Sequence, residues 1–264
     1  MTFLPIFAQA LLVILGLMSL VWLISLPLRN ASIVDIVWGL GFVIVAWFYF
    51  SQTVQSDSGY LARQWLVAIL ATVWGLRLSF YLLGRNWGQG EDFRYQQFRQ
   101  TYGPDRYWWV SFFQVFVLQG VLMWLISAPL LGAQYTTGSA SLNWIDGLAL
   151  VVWVIGFIFE AGGDWQLSRF KRNPANKGKL LTTGFWRYTR HPNYFGDTAV
   201  WWGFGLFSIA AGSYLPFLGT LLMTALIINV SGVAMLERSM KDKKPGYEEY
   251  MRRTSAFIPW PPKK

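Results

Sequence analysis

Residues 4 to 26 read LPIFAQALLVILGLMSLVWLISL, a run without a single charged side chain. A helix rises about 1.5 Å per residue and the hydrocarbon core of a bilayer is about 30 Å thick, so this run is long enough to cross it. It lacks the basic start of a signal peptide and is long enough to span, so it is read as a helix retained in the mature chain. Working outward with windows of about 20 apolar residues, further spans are expected near 33 to 50, 62 to 83, 110 to 131, 143 to 161, 197 to 212 and 215 to 235. The expected fold class is all-α: a polytopic integral membrane protein with seven transmembrane helices.

Composition agrees with that class. Hydrophobic residues make up 54% and charged residues 13%, with 16 Trp and 20 Phe, and mean hydropathy is +0.36, a balance foreign to soluble domains. Arg29, the 84 to 109 segment, the 164 to 191 segment and the chain after Glu237 hold nearly all of the 22 Lys and Arg, whereas 51 to 60 and 132 to 142 hold none. Seven spans place every basic segment on one side. By the positive-inside rule that side is cytoplasmic, which puts the amino terminus outside and the carboxyl terminus inside. The polar segments are shorter than typical domains. One membrane-embedded domain, 1–264, is therefore expected, with cytoplasmic loops near 84–109, 164–197 and 237–264. A formal charge of +9 would suggest nucleic acid in a soluble protein, but here the cations lie between apolar runs, and a nucleic-acid partner is rejected. With no cysteine, disulfides, thiolate metal sites and cysteine nucleophiles are excluded; a single histidine argues against zinc or di-iron.

Chemistry concentrates in Gly184-Phe185-Trp186-Arg187-Tyr188-Thr189-Arg190-His191-Pro192-Asn193-Tyr194-Phe195-Gly196-Asp197, where cations, aromatics, an amide and the sole histidine abut an apolar segment. Ionisable groups beside a bilayer are costly and persist where a substrate, ion or cofactor compensates them. A basic loop resting on anionic lipid needs Lys and Arg, but not Asn193, Asp197 and aromatics at fixed places. Upstream, Asn173-Pro174-Ala175-Asn176-Lys177-Gly178-Lys179 breaks the helix and offers backbone amides and lysines to an anion. No GxGxxG turn follows a strand, so any nucleotide has to be held by the membrane domain itself.

Three spans carry expensive polar groups. Asp35, three residues after Ser32, is read either as a helix cap favouring the positive end of the dipole or as a catalytic acid. Arg77 and Arg85, two turns apart, either snorkel to headgroups or converge on a diphosphate. Glu160 and Asp164, followed by Arg169, Lys171 and Arg172, form either a solvated helix end or ribose and phosphate contacts. Tyr247 and Tyr250 share a helical face; packing is the reading for Tyr247, while packing and adenine contact both stand for Tyr250.

These segments resemble the membrane steroid 5-alpha-reductase family over nearly the whole chain. The resemblance is carried by SIVDIVWGLGF, WGLRLSFYLLGR, Gly163-Asp164-Trp165-Gln166-Leu167, the 173 to 179 loop, TGFWRYTRHPNYFGD, Glu237-Arg238 and the closing PGYEEY through Phe257-Ile258-Pro259-Trp260. It is closest to bacterial members, which implies a multi-pass protein of the inner membrane if the source is prokaryotic. Sterol C-14 and C-24 reductases are relatives, and isoprenylcysteine carboxyl methyltransferases share the Arg-His-Pro-x-Tyr core. Asn193 before Tyr194 and an acidic residue after Gly196 look like the reductase branch.

The resemblance implies that the single domain 1–264 is a membrane-embedded reductase whose loops near 84–109, 164–197 and 237–264 bind the cofactor, and that the reaction is NADPH-dependent reduction of a carbon–carbon double bond conjugated to a ketone, in its steroid form a 3-oxo-4-ene. The substrate would be a steroid or another apolar fused-ring or isoprenoid enone entering from the bilayer, with membrane lipids as the other partners, no metal, and a monomer as the expected state. Hydride arriving at the β carbon drives negative charge onto the carbonyl oxygen, where a positioned donor stabilises the enolate. In the family that donor is a second-span glutamate assisted by a third-span tyrosine. Here the carboxyl is Asp35, and Trp74 stands where the tyrosine is expected. Tyr81 or Tyr49 then supplies the hydroxyl, or Asp35 acts without one. Trp38 and Trp74 are assigned to the substrate. Arg77, Arg85, Asp164, Arg169, Lys171, Lys179, Arg187, Tyr188, His191, Asn193, Tyr194, Asp197, Arg238 and Tyr250 are assigned to the cofactor, with His191 a supporting hydrogen-bond partner and the cations facing the phosphates, including the 2′-phosphate. The alternatives are an S-adenosylmethionine-dependent methyltransferase and a lipid transporter. Transporters often show repeats and mid-span polar groups, and this chain shows no repeat.

Overall fold

A computed structural model describes residues 2–263 except 136–140, 232, 234–236 and 238–245. The opening run becomes α1 (Phe3–Leu28), which buries Ile6, Ala10, Ile14, Met18 and Val21 along one stripe and leaves Leu4, Leu12, Leu20 and Leu23 exposed. The stripe follows the helical period, and the exposed leucines suit lipid rather than water. Arg29 closes the helix in the left-handed conformation, its N–H on Leu26 and Ser25 carbonyls.

The chain continues through α2 (Ile33–Gln55), α3 (Leu61–Asn86), the short polar α4 (Phe93–Tyr102) and the long α5 (Pro104–Gln134). After these come α6 (Trp144–Arg172), 3₁₀ turns at Pro174–Asn176 and Gly184–Arg187, α7 (Pro192–Ala210), α8 (Phe217–Ala225) and α9 (Tyr247–Arg253). Among the described residues the structure is helical and has no strand. Five helices, α1, α2, α3, α5 and α6, are long and apolar enough to cross a membrane. The expected sixth and seventh spans coincide with α7 and with the apolar stretch Phe217–Val230, both shorter. The fifth expected span ends at 161, but α6 runs on to Arg172, because Gln166 through Arg172 includes no breaker before Pro174.

Two compact units form, Met1–Leu142 with Phe207–Gly219, and Asn143–Leu206 with Thr220–Lys264. In the first, α2 and α3 approach until a Cβ at Gly75 would stand 2.7 Å from Val43 Cγ2 and against the Gly39 carbonyl. Small residues at such crossings let backbones touch where lipid offers no hydrophobic drive for association. Tyr49 hydrogen-bonds Ser127 at 2.8 Å across α2 and α5, and Gln134 Nε2 donates to the Ala46 carbonyl. Within α5 a π turn at Phe112–Val117 re-phases the helix just before Gln119.

In the second unit α6 and α7 cross at Gly156 and Gly196. A Cβ at Gly156 would lie 2.5 Å from Val200 N, and one at Gly196 would lie 2.5 Å from Gly156 O. Gly163, two turns on, lies opposite Pro192 and the Asn193 backbone. This crossing sets the polar first turn of α7 beside the end of α6.

Candidate functional site

In the first unit the loop between α3 and α4 folds onto the start of α2. Asp92 caps α4 by accepting from Arg94 N at 3.0 Å, and its own N–H donates to Ser32 Oγ at 3.2 Å. Glu91 accepts from Ala31 N at 2.7 Å and from Arg99 Nε and Nη2 at 3.0 and 2.9 Å. The result aims two side chains of α4 at Asp35. Arg94 Nη2 pairs with Oδ2 at 2.8 Å and the Tyr95 hydroxyl donates to Oδ1 at 2.7 Å. Asp35 lies in the first turn of α2, where its charge suits the positive end of the helix dipole, while Ser32 is the N-cap residue and its side chain makes no cap bond; the Asp35 carboxylate itself turns to the arginine and the phenol. Desolvation by burial, and then the nearby Asp35 charge, push the Tyr95 phenol well above its ordinary value, so it remains an O–H donor. Burial opposes ionisation of Asp92, but the Arg94 hydrogen bonds outweigh it and hold Asp92 below the ordinary carboxylate value.

The network extends inward. Gln119 Nε2 donates to the Tyr95 oxygen at 3.1 Å, and the Trp38 indole donates to Gln119 Oε1 at 2.5 Å. Trp38 packs on Phe42 at 5.7 Å, and Phe42 on the buried Trp74 at 5.8 Å. The two tryptophans assigned to substrate therefore share one aromatic row beside the Asp35 network. Tyr81 lies elsewhere on α3, its ring 5.3 Å from the Arg77 guanidinium and 5.8 Å from that of Arg85. Tyr49, fourteen residues beyond Asp35 on α2, is held by Ser127. The hydroxyl on Asp35 is thus that of Tyr95, which sequence reading missed. The available signal was the dense Glu91-Asp92-Phe93-Arg94-Tyr95 run, which lies in the 84–109 segment expected to be a basic, cofactor-binding cytoplasmic loop.

In the second unit Asn193 Nδ2 donates to Asp164 Oδ1 at 3.1 Å. Asp164 is buried, as is Glu160 one turn before it. Asn193 Oδ1 is buried and, among the described residues, has no partner. Asp197 follows one turn later on α7, and Tyr194 stacks on the His191 ring at 5.8 Å. Trp186 Nε1 donates to Gly163 O at 3.2 Å, and Phe185 N donates to Gln166 Oε1 at 3.0 Å, which seats the 3₁₀ turn on the end of α6. Arg169, Lys171, Lys179 and Arg187 are exposed, with Arg169 over the Trp165 ring at 5.5 Å. Gly178 turns the intervening loop at φ 83, a conformation that costs glycine no Cβ clash. Tyr188 is half-exposed. Tyr250 is buried and its hydroxyl donates to the Trp186 carbonyl. Burial lowers His191 below its ordinary value, so the ring is neutral near pH 7, while Glu237 lies 3.4 Å from Nε2. Arg238 lies outside the described residues. Among the described residues no group of three or more His, Asp and Glu is arranged to hold a metal ion.

A buried carboxamide that anchors its nitrogen on a carboxylate and leaves its oxygen open asks for an N–H or O–H donor. A nicotinamide nucleotide offers both, from the carboxamide and the riboses, and exposed cations stand in the same segment for its phosphates. The residues present fit such a group.

The chain is 25% identical to the uncharacterized protein C594.04c of Schizosaccharomyces pombe across 96% of this chain and 79% of that protein. It is 27% identical to the Delta(14)-sterol reductase of Ascobolus immersus across 52% of this chain and 33% of that protein. It is also 30% identical to the probable O-methyltransferase ustE of Ustilaginoidea virens across 36% of this chain and 32% of that protein. The chain thus spans about a third of the length of that reductase and of that methyltransferase. No solved structure matches it. Residues 21–254 match the family described as protein of unknown function (DUF1295), and the chain belongs to that family.

Proposed function

We propose that this integral membrane protein is an NADPH-dependent reductase of a carbon–carbon double bond conjugated to a ketone in an apolar fused-ring or isoprenoid lipid. Its finer form is reduction of the Δ4 bond of a 3-oxo-4-ene steroid to the 5α product. The observation that carries the reading is the Asp164–Asn193 pair with its open, buried amide oxygen, set in a segment of exposed cations. Distant similarity to Delta(14)-sterol reductases supports the reaction class and the apolar substrate.

When bound, NADPH supplies a hydride. Asn193 orients the nicotinamide carboxamide or a ribose hydroxyl, Asp164 fixes the amide and Asp197 accepts from the ribose. Arg169, Lys171, Lys179 and Arg187 take the phosphates, with Arg238 as a further cation, and Tyr188 and Tyr194 wall the ring. Tyr250 and His191 act as supports for this segment. Hydride addition to the β carbon leaves negative charge on the carbonyl oxygen, and Tyr95 is the donor we assign to it, its one O–H turning from Asp35 Oδ1 to that oxygen; Asp35, a carboxylate paired with Arg94, holds the phenol in place, and a proton from solvent on the α carbon completes the reduction. Trp38 and Trp74 pack against the apolar rings. In this reading the whole chain is one membrane domain of seven spans, α7 and α8 being the last two, with a cytoplasmic carboxyl terminus and, in a bacterium, residence in the inner membrane.

Similarity to a probable O-methyltransferase favours one second reading, methyl transfer from S-adenosylmethionine. An anaerobic assay of detergent-purified protein separates them. NADPH absorbance is followed with and without progesterone or androstenedione, and the product is weighed. Substrate-dependent NADPH loss with a gain of two hydrogens supports the steroid reductase; NADPH binding without turnover retains a reductase of another lipid; binding of S-adenosylmethionine alone selects the methyltransferase.

A further inference from the structure

Arg190 is surrounded differently from the other cations of its segment. It is buried, and its guanidinium is given over to protein acceptors. Nε and Nη2 donate to Glu237 Oε1 at 2.9 and 2.5 Å, and Nη1 donates to the carbonyls of Met251 and Thr254 at 3.0 and 2.5 Å. Arginine has five N–H donors, so four bonds of this kind leave at most one for anything else. Arg187, three residues before, is by contrast exposed.

Around Arg190 the closing segment, residues 247–263, is joined to residues 186–190 by backbone and side chain. Arg190 N donates to Ser255 O at 2.9 Å, Thr189 Oγ1 to Phe257 O at 2.8 Å, and Trp260 N to Tyr188 O at 2.9 Å. The Tyr250 hydroxyl adds its bond to Trp186 O, and Phe195 on α7 meets Phe257 at 6.1 Å. Immediately after this joint comes His191, then Pro192 at the first position of α7, then Asn193. Proline fixes its own φ and is pre-organised for a helix start, so any rotation of the 189–191 backbone is passed to Asn193.

We infer that Arg190 is a positioning residue for the nucleotide: by binding Glu237 and the closing segment it sets the direction of the first turn of α7, and so the aim of the Asn193 amide, without touching the nucleotide. Tyr250 acts in the same way through Trp186. This rests on the nucleotide reading of the Asn193 site.

Such a role has a signature. A residue that reads the 2′-phosphate changes the preference for NADPH over NADH, whereas one that aims Asn193 weakens both nucleotides by the same factor. The test uses the full chain in detergent, with NADPH and NADH affinities measured for the natural protein and for Arg190→Lys, Arg190→Gln, Tyr250→Phe and Arg187→Gln. Thermal unfolding and hydrogen–deuterium exchange of residues 187–193 are followed in parallel. Losing one neutral hydrogen bond corresponds to roughly 3- to 10-fold in affinity if fully transmitted, so Tyr250→Phe is expected to weaken both nucleotides by about that much. Arg190→Gln is expected to weaken both by about 10- to 100-fold, with faster exchange confined to 187–193, and Arg190→Lys to recover part of the loss. Arg187→Gln is expected to weaken NADPH alone. Loss of NADPH affinity alone in the Arg190 variants would mean direct phosphate contact and overturn the inference. So would unchanged affinities in folded Arg190→Lys and Tyr250→Phe proteins. Natural protein that binds neither nucleotide refutes the reductase reading, and the positioning role with it.

Discussion

Gly196→Ala tests the helix crossing on which the Asn193 site is built. At an open helical position this change is favourable by about 0.8–1.0 kcal/mol, the propensity difference between the two residues. At Gly196 the new Cβ would lie 2.5 Å from the Gly156 carbonyl oxygen and 2.7 Å from Glu160 Cα. Comfortable carbon contacts are about 3.5–4.0 Å, and these neighbours are backbone atoms that no rotamer change moves. The helices have to part by about 1 Å, an overpacking cost of about 1–3 kcal/mol that exceeds the propensity gain. The net expectation is a loss of up to about 2 kcal/mol, seen as a fall of up to about 8 °C in the unfolding midpoint of a chain this size. The same separation lengthens the 3.1 Å Asn193–Asp164 bond beyond hydrogen-bond range, so nucleotide affinity should fall about tenfold or more, the worth of a hydrogen bond to a charged group. Gly147 is the control: it lies in α6, and a Cβ added there would meet nothing within 4 Å, so Gly147→Ala should raise the midpoint. Both proteins are assayed by thermal unfolding in one detergent and by NADPH titration. If Gly196→Ala matches Gly147→Ala in both, the close crossing does not position the site and the reasoning fails.

Other substitutions probe the remaining links. Tyr95→Phe keeps the ring but removes the O–H on Asp35, and kcat should fall about 10²- to 10³-fold, as for removal of an oxyanion donor, with NADPH affinity unchanged; a fall confined to NADPH affinity would remove Tyr95 from the acid role. Asn193→Ala should weaken NADPH about tenfold, the scale of one hydrogen bond of about 1.4 kcal/mol; titration showing intact affinity would displace the nucleotide from this segment. For pH, the folded His191 value is depressed, chiefly by burial. The unfolded chain therefore takes up the proton first, and stability present above about pH 6.5, the free imidazole value, drains away as pH falls toward the folded value. Unfolding midpoints measured between pH 5 and 8 should decline on the acid side, less steeply in His191→Gln; an equal decline in both would assign the acid lability elsewhere.

Much of the architecture was legible because membrane spans announce themselves locally. A charge-free run such as 4 to 26 has one economical solution in lipid, since its backbone groups have to be satisfied within the helix. The resemblance assigned both Asp164 and Asn193 to the cofactor, but their direct hydrogen bond, the extension of α6 to Arg172 and the start of α7 at Pro192 came only with the structure. The partner of Asp35 was not legible. Arg94 and Tyr95 are about sixty residues away in sequence, and Gln119 reaches Tyr95 only because α5 lies against the start of α2.

Local sequence therefore determined which segments are helices, which are apolar enough to enter a membrane, and where the polar chemistry sits. Tertiary structure alone decided which polar groups satisfy one another: Tyr95 rather than Tyr81 or Tyr49 on Asp35, and Glu237 with the closing segment on Arg190. The physical reason is that burial favours those arrangements in which hydrogen-bonding groups find partners, and which partner is within about 3 Å depends on how helices cross, a property that no single segment carries.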